Sequence, residues 1–299
     1  MELSVKKYPS LNSALKGIYG EDTEILRRRP VSGGDINRAY RLDLSNGDSL
    51  FMKENYAENL SFFIRECEGL EAIRMTAAIS VPKALAYGLD GKSAFLLMEC
   101  VEQGRSIADF YEDFGRRLYG MHRADCASFV IGGNYGFLND NYIGAGYQDN
   151  TPEDSWKDFF RNRRLLPQIR RAEGYFDAAD RKKLDRLLQK LDDILEEPEK
   201  KALLHGDLWS GNYMCGPEGR AWLIDPAVYV GHPEADIAMT ELFGGFPAAF
   251  YKGYFGGKKP KAYEDRRDIY NLYHLLNHLN LFGGSYYGSV MRIVYHYVA

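Results

Sequence analysis

Cysteine is scarce: Cys67, Cys100, Cys126 and Cys215 are the only four among 299 residues, and no two form a Cys-x-x-Cys pair. That spacing excludes a zinc ribbon and a dense disulfide framework, and it fits a reducing compartment. Charge of one sign is lacking too, since 38 Lys and Arg against 42 Asp and Glu give a formal net charge of −4. No global basic field exists to hold nucleic acid or an anionic membrane, so any anionic ligand must be met locally. No apolar run approaches the roughly 20 residues that cross a bilayer. The opening segment "MELSVKKYPSLNSALKGIYG" lacks the uninterrupted apolar stretch of a signal peptide. The expectation is a cytoplasmic protein with no membrane or nucleic-acid partner. Repeats and low-complexity tracts are missing as well, whereas 45% hydrophobic residues are ample for the core of one large domain or two intimate ones.

What is present changes character near residue 102. Before it, "TEILRRRPVSGG", "INRAYRLDLSNGDSLFMKENY" and "KALAYGLDGKSAFLLMECV" read as short strands. Asn-Gly between Ser45 and Ser49, and Asp-Gly between Leu89 and Ser93, mark two hairpins. Between them "NLSFFIRECEGLEAIRMTAA" carries Phe62, Phe63, Leu70 and Ile73 at helical spacing. Residues 1–101 are therefore expected to form an antiparallel sheet with one main helix. Residues 102–299 turn to long helical patterns, around Ser106 to Arg123, Pro152 to Ala172 and Phe176 to Leu195, then later ones closed by Gly pairs. The expected fold class is α+β, a β-rich lobe followed by a mostly helical one. One stretch, "FVIGGNYGFLNDNYIGAGYQDN", has no period, and a loop that long inside a compact domain is more often functional than idle.

The chemistry concentrates in "LLHGDLWSGN" and "AWLIDPAVY", where two short apolar runs each lead to an acid, Asp207 and Asp225. A carboxylate at the mouth of an apolar strand needs a cation, a proton partner or solvent. With Asn212 between them, these oxygens form a set that suits magnesium together with substrate phosphates. The alternative is a pair of turn residues at strand ends. Upstream, Gly33 and Gly34 offer a turn whose backbone N–H groups can approach phosphate. Lys53 lies on the next strand in the phase opposite to Met52, and Glu66 lies inside the helix. Singly, these read as a turn, an exposed lysine and a solvated charge. In this order, a Gly turn, a strand Lys, a helix Glu, a D-x-x-x-x-N loop and a later Asp match the ATP and magnesium apparatus of protein-kinase-like phosphotransferases.

On "HGDLWSGN", "LIDPAVYVGHPEADIAMTELFGGF" and "LYHLLNHLNLFGG" the chain resembles the fructosamine-3-kinase (ketosamine-3-kinase) family, a branch of the protein-kinase-like and aminoglycoside phosphotransferase superfamily. The likeness extends from "SGGDINRAYRL" to "LNHLNLFGG", and its C-terminal motifs are the specific part. The resemblance implies a two-lobed protein-kinase-like fold and the use of ATP and Mg2+. It implies phosphorylation of the sugar 3-hydroxyl in fructosamine, ribulosamine or erythrulosamine adducts of amines or protein lysines, which serves deglycation. Asp207 would be the catalytic residue that accepts or orients the hydroxyl proton, and Asn212 and Asp225 the metal ligands. Lys53 would neutralise the α- and β-phosphates and Glu66 would hold it, with Gly33 and Gly34 covering the phosphates. Adenine would meet backbone at Glu99 and Val101, with Met98 beside the ring. Asp236 would brace the backbone around His205.

Trp209, two residues after Asp207, is expected to stack on the acceptor. His274 and His278 share a helix face, but no carboxylate or thiolate in their motif completes a metal set; His274 is the expected sugar-side contact. Two departures from protein kinases point to a small-molecule acceptor. The loop reads H-G-D rather than H-R-D, and Asp225 is followed by Pro226 and Ala227 with no A-P-E segment, so the switch of phosphorylated activation loops has no counterpart. An aminoglycoside or choline kinase is the alternative, although its cationic acceptors favour a more acidic site or an aromatic cage. A non-catalytic nucleotide-binding scaffold would be expected to lack Lys53, Asp207 or Asp225, and all are present.

Overall fold

The computed structural model describes residues 5–32 and 36–299, so the expected phosphate-covering turn at Gly33 and Gly34 lies outside the described residues. The chain divides into two units, Met1–Phe110 with Tyr213–Pro226, and Tyr111–Asn212 with Ala227–Ala299.

In the first unit, the strands β1 (Lys6–Tyr8), β2 (Ile25–Val31), β3 (Arg38–Leu44), β4 (Ser49–Tyr56), β5 (Ala84–Asp90) and β6 (Ser93–Glu99) form one sheet. Their order is β1-β5-β6-β4-β3-β2. The Asn-Gly and Asp-Gly turns join β3 to β4 and β5 to β6, with Gly47 and Gly91 at φ 91° and 61°, the left-handed region that hairpin turns require. One pairing departs from the antiparallel expectation: β1 runs parallel to β5. The chain leaves β1 through a helix that sequence reading overlooked, α1 (Leu11–Tyr19). Ser10 and Ser13 start it, each hydroxyl accepting the other residue's N–H at 3.1 Å, which satisfies two otherwise unpaired donors. Ala14 and Leu15 of α1 pack with Leu42, Leu44, Leu50, Met52 and Leu97 on one face of the sheet. The second helix, α2 (Leu60–Met75), serves the opposite face, where strand alternation turns Lys53.

The chain does not leave this unit at residue 101. Gly104 donates to the Cys215 carbonyl at 3.0 Å and Ile107 to the Gly219 carbonyl at 3.1 Å. A distant hairpin, Tyr213–Cys215 with Ala221–Leu223, thereby joins the first unit and brings Asp225 with it.

In the second unit the helical stretches form where periodicity places them. Trp156–Phe159 continues through a π-helical turn, Phe160–Leu165, into Leu166–Arg171. Ala178–Ile194 is capped by Asp177, whose carboxylate accepts from Ala179 and Asp180 N–H at 2.8 Å. The long helix Tyr263–Phe282 buries Ile269, Leu272, Leu276 and Leu279 completely and ends at Gly283, φ 91°. Its buried Arg266 grips Glu234 through two hydrogen bonds of 2.7 and 2.8 Å. Such a fork fixes orientation as well as distance, here of the helix Glu234–Leu242, which carries Asp236. Two short strands, Ala202–Leu204 and Tyr229–Gly231, pair antiparallel behind the HGD loop. Among the described residues no helix is long and apolar enough to cross a membrane.

Candidate active site

In the first unit, β4 places Lys53 between Ala39 of β3 and Leu96 of β6, 7% exposed. A lysine ammonium buried there needs counter-charge. Its Nζ lies 2.6 Å from Glu66 Oε1 on α2 and also bonds Asp225 Oδ1. Burial alone would lower the lysine's pKa, but the charges of Asp225 and Glu66 and their hydrogen bonds outweigh it and hold the ammonium above its ordinary range. Asp225 itself sits at φ 54°, a left-handed conformation that costs a non-glycine residue about 1–2 kcal/mol; such strain clusters at functional sites. Met98 is buried on β6, opposite Phe51 and so on the sheet face of Lys53. Glu99 ends that strand, its N–H donating to the Lys83 carbonyl at 2.9 Å and its carboxylate accepting the Lys83 N–H at 3.2 Å. Val101 follows, half-buried, beyond the strand end.

In the second unit, the buried strand Ala202–Leu204 runs into the loop His205–Asn212. The N–H groups of His205 and Gly206 donate to the Asp236 carboxylate at 2.7 and 2.8 Å, and His122 Nε2 lies 3.1 Å from it. Asp236 is 1% exposed. Burial would raise its pKa, yet the His122 hydrogen bond and charge, with His205 and the Gly206 N–H, hold the carboxyl below the usual range. The brace anticipated at Asp236 is therefore real, and His122 is a member of it that sequence spacing gave no means of finding, since its partner lies 114 residues away. Gly206 takes φ 82°, and a Cβ there would stand 2.0 Å from the Ala227 carbonyl oxygen. Both conditions demand glycine where protein kinases carry arginine.

Asp207, half-buried, donates its N–H to His205 Nδ1 at 3.3 Å. Asn212 Nδ2 donates to the Asp207 carbonyl at 2.7 Å and to its carboxylate at 3.0 Å. With the NH2 so engaged, the amide oxygen is the atom of Asn212 suited to a hard cation. Among the described residues no group of three or more His, Cys, Asp or Glu could hold a metal ion. Trp209 is 37% exposed and meets Phe243 edge-on at 6.3 Å. His274 lies deeper, 3% exposed, its Nδ1 without a hydrogen bond among the described residues. Burial holds it neutral, its pKa pulled down to about 3. His278 turns its Nδ1 to the His274 carbonyl at 2.8 Å and its ring to Phe243 at 4.7 Å.

Comparison with known proteins places the chain in a family. The fructosamine kinase family model matches residues 8–299. The chain is 42% identical over 280 residues to a probable ketoamine kinase of Synechocystis sp., covering 92% of this chain and 91% of that one. It is 38% identical over 283 residues to the chloroplastic protein-ribulosamine 3-kinase of Arabidopsis thaliana, covering 93% and 85%. A crystal structure from Haemophilus somnus 129PT, provisionally assigned as a fructosamine-3-kinase, superposes with a TM-score of 0.84 at 25% identity over 97% of each chain. The α+β fold is that of the kinase-like phosphotransferases. The chain belongs to the fructosamine kinase family and is a phosphotransferase.

Proposed function

We propose that this protein is an ATP-dependent ketosamine 3-kinase, transferring the γ-phosphoryl group of MgATP to the sugar 3-hydroxyl of ribulosamine, fructosamine or erythrulosamine adducts of amines and protein lysines. The observation that carries the reading is Lys53 held between Glu66 and Asp225, a cationic site of the kind that neutralises nucleotide phosphates. In this reading Asp207 takes the proton of the attacking hydroxyl as the new O–P bond forms and ADP leaves. Asn212 and Asp225 would hold magnesium, which would supply screening of the phosphate charge. Met98, Glu99 and Val101 meet adenine, and Gly33 and Gly34 cover the phosphates. Trp209 supplies an exposed aromatic face to the acceptor. The Nδ1 of His274, without a hydrogen bond among the described residues, finds a partner in a sugar hydroxyl, which offsets an otherwise costly burial.

The 3-phosphates of such adducts decompose and release the amine, so the physiological role is deglycation. A cytoplasmic setting belongs to the same reading, supported by four free thiols. The relatives named for ketoamines and ribulosamine favour this acceptor class over choline or aminoglycosides. ADP release measured with ribulose-lysine, fructose-lysine, choline and kanamycin tests it. Turnover is expected with the ketosamines; turnover only with choline or kanamycin would sink the assignment.

A further inference from the structure

The long Gly-, Asn- and Tyr-rich stretch between the first two helices of the second unit is not a surface excursion. Gly136 and Val230 exchange hydrogen bonds of 3.1 and 2.7 Å, so the stretch adds itself beside the strand that follows the DPA segment. Farther along it forms a hairpin, Asn141–Ile143 with Gly146–Gln148, in which Asn141 and Gln148 stand directly opposite each other. Both are polar and almost fully buried, at 4% and 1% exposure. Buried amides of this kind are costly unless every group is paired, and here the pairing is specific. Gln148 Nε2 donates to Asn141 Oδ1 at 2.7 Å and to the Ala227 carbonyl at 3.0 Å. Asn141 Nδ2 donates to the Val228 carbonyl at 2.7 Å, and Tyr273 O–H donates to Gln148 Oε1 at 2.7 Å.

The residue that this network grips is the one the HGD loop rests on. Ala227 N–H donates to the His205 carbonyl at 2.8 Å, and the Ala227 carbonyl is the atom against which Gly206 packs with no room for a Cβ. His205 and Gly206 are thus held from one side by Asp236 and from the other by Ala227, which the two amides fix in turn. We propose that Gln148 and Asn141 are positioning residues that set Asp207 for phosphoryl transfer by immobilising Ala227 and Val228.

The inference rests on the proposed role of Asp207, and the test separates the two. Gln148→Leu removes all three hydrogen bonds of the side chain; Gln148→Glu keeps an acceptor for Tyr273 and loses the donors to Asn141 and Ala227. Leu187→Ala, in the helix Ala178–Ile194 and fully buried, is a control that destabilises the same unit elsewhere. Both Gln148 variants are expected to lose about 10- to 100-fold in kcat with ribulose-lysine, with an unchanged KM for ATP. Amide hydrogen exchange at Gly206, Asp207 and Ala227, followed without ligand, should accelerate in them and not in Leu187→Ala. In an Asp207→Asn background, Gln148→Leu should add little, because groups that act as a unit are not additive. A kcat equal to that of Leu187→Ala, unaltered exchange at these amides, or a full further loss in the Asp207→Asn background would overturn the proposal. If the wild-type chain does not turn over ribulose-lysine, the substrate assignment fails, while the exchange measurement still decides the clamp.

Discussion

Asp207→Asn is expected to slow phosphoryl transfer about 10²- to 10⁴-fold, the range typical of losing a positioned general base, while nucleotide affinity stays unchanged. The geometry makes this a clean substitution. Asn212 reaches the Asp207 side chain with an N–H donor at 3.0 Å, and an amide oxygen at position 207 accepts that bond as well as a carboxylate does. Backbone groups also anchor the loop, the N–H donors of His205 and Gly206 on Asp236 and the His205 carbonyl on the Ala227 N–H. In the proposed mechanism, what the variant loses is the negative charge that takes the hydroxyl proton. Steady-state kinetics with a tight-binding check on MgADP would show kcat falling and the nucleotide dissociation constant holding. A variant with wild-type kcat would remove Asp207 from the chemistry.

Lys53→Met should have a comparable reach, on stability as well as rate. The lysine and Glu66 side chains are only 9% and 12% exposed, and Asp225 shares the same ammonium. Taking away this cation leaves a buried carboxylate without its lysine counter-charge, a loss of about 3–5 kcal/mol. Turnover should fall about 10²- to 10³-fold, as when a donor aimed at transition-state charge is removed. The sign of the pH dependence follows from the raised lysine pKa. On the lysine's side the contribution is fully present below the unfolded value of about 10.4 and is lost as pH rises through the higher folded value, while burial raises the Glu66 carboxyl, so the destabilisation should fade both in strong alkali and in acid. Urea unfolding of the wild type, Lys53→Met and the double variant Lys53→Met with Glu66→Leu would measure it. The double variant should recover part of the loss, because an apolar pair does not carry the desolvation penalty. A wild-type midpoint for Lys53→Met would mean that the ion pair contributes nothing.

Much of this was legible in the chain because the relevant signals are local. Asn-Gly and Asp-Gly turns dictate hairpins, strand alternation turned Lys53 away from the Met52 face, and glycine pairs closed the helices. Three features escaped for physical reasons. The helix α1 is announced by a serine-only capping box, a weaker signature than the usual one with Glu or Gln at the third position. The hairpin Tyr213–Cys215 with Ala221–Leu223 belongs with the first unit through hydrogen bonds to backbone at Gly104, Ile107 and Ser80, and backbone pairing leaves no side-chain trace in the sequence. The amides Asn141 and Gln148 sit in a stretch without periodicity, expected to be functional but with no pattern to say which residues are buried; their burial serves the carbonyls of Ala227 and Val228. Gly206 was read in the sequence as a departure from the protein-kinase arginine; the structure gives a steric reason for it, the Ala227 carbonyl at 2.0 Å from any added Cβ.

The central claim, a kinase acting on the 3-hydroxyl of a ketosamine, is tested most directly by the product itself. Incubating the protein with MgATP and ribulose-lysine and recording a two-dimensional 1H–31P correlation should show the new phosphorus coupled to the sugar H3, with one ADP formed for each phosphate ester. Coupling to any other sugar proton, or ADP formed without a sugar phosphate, would contradict it.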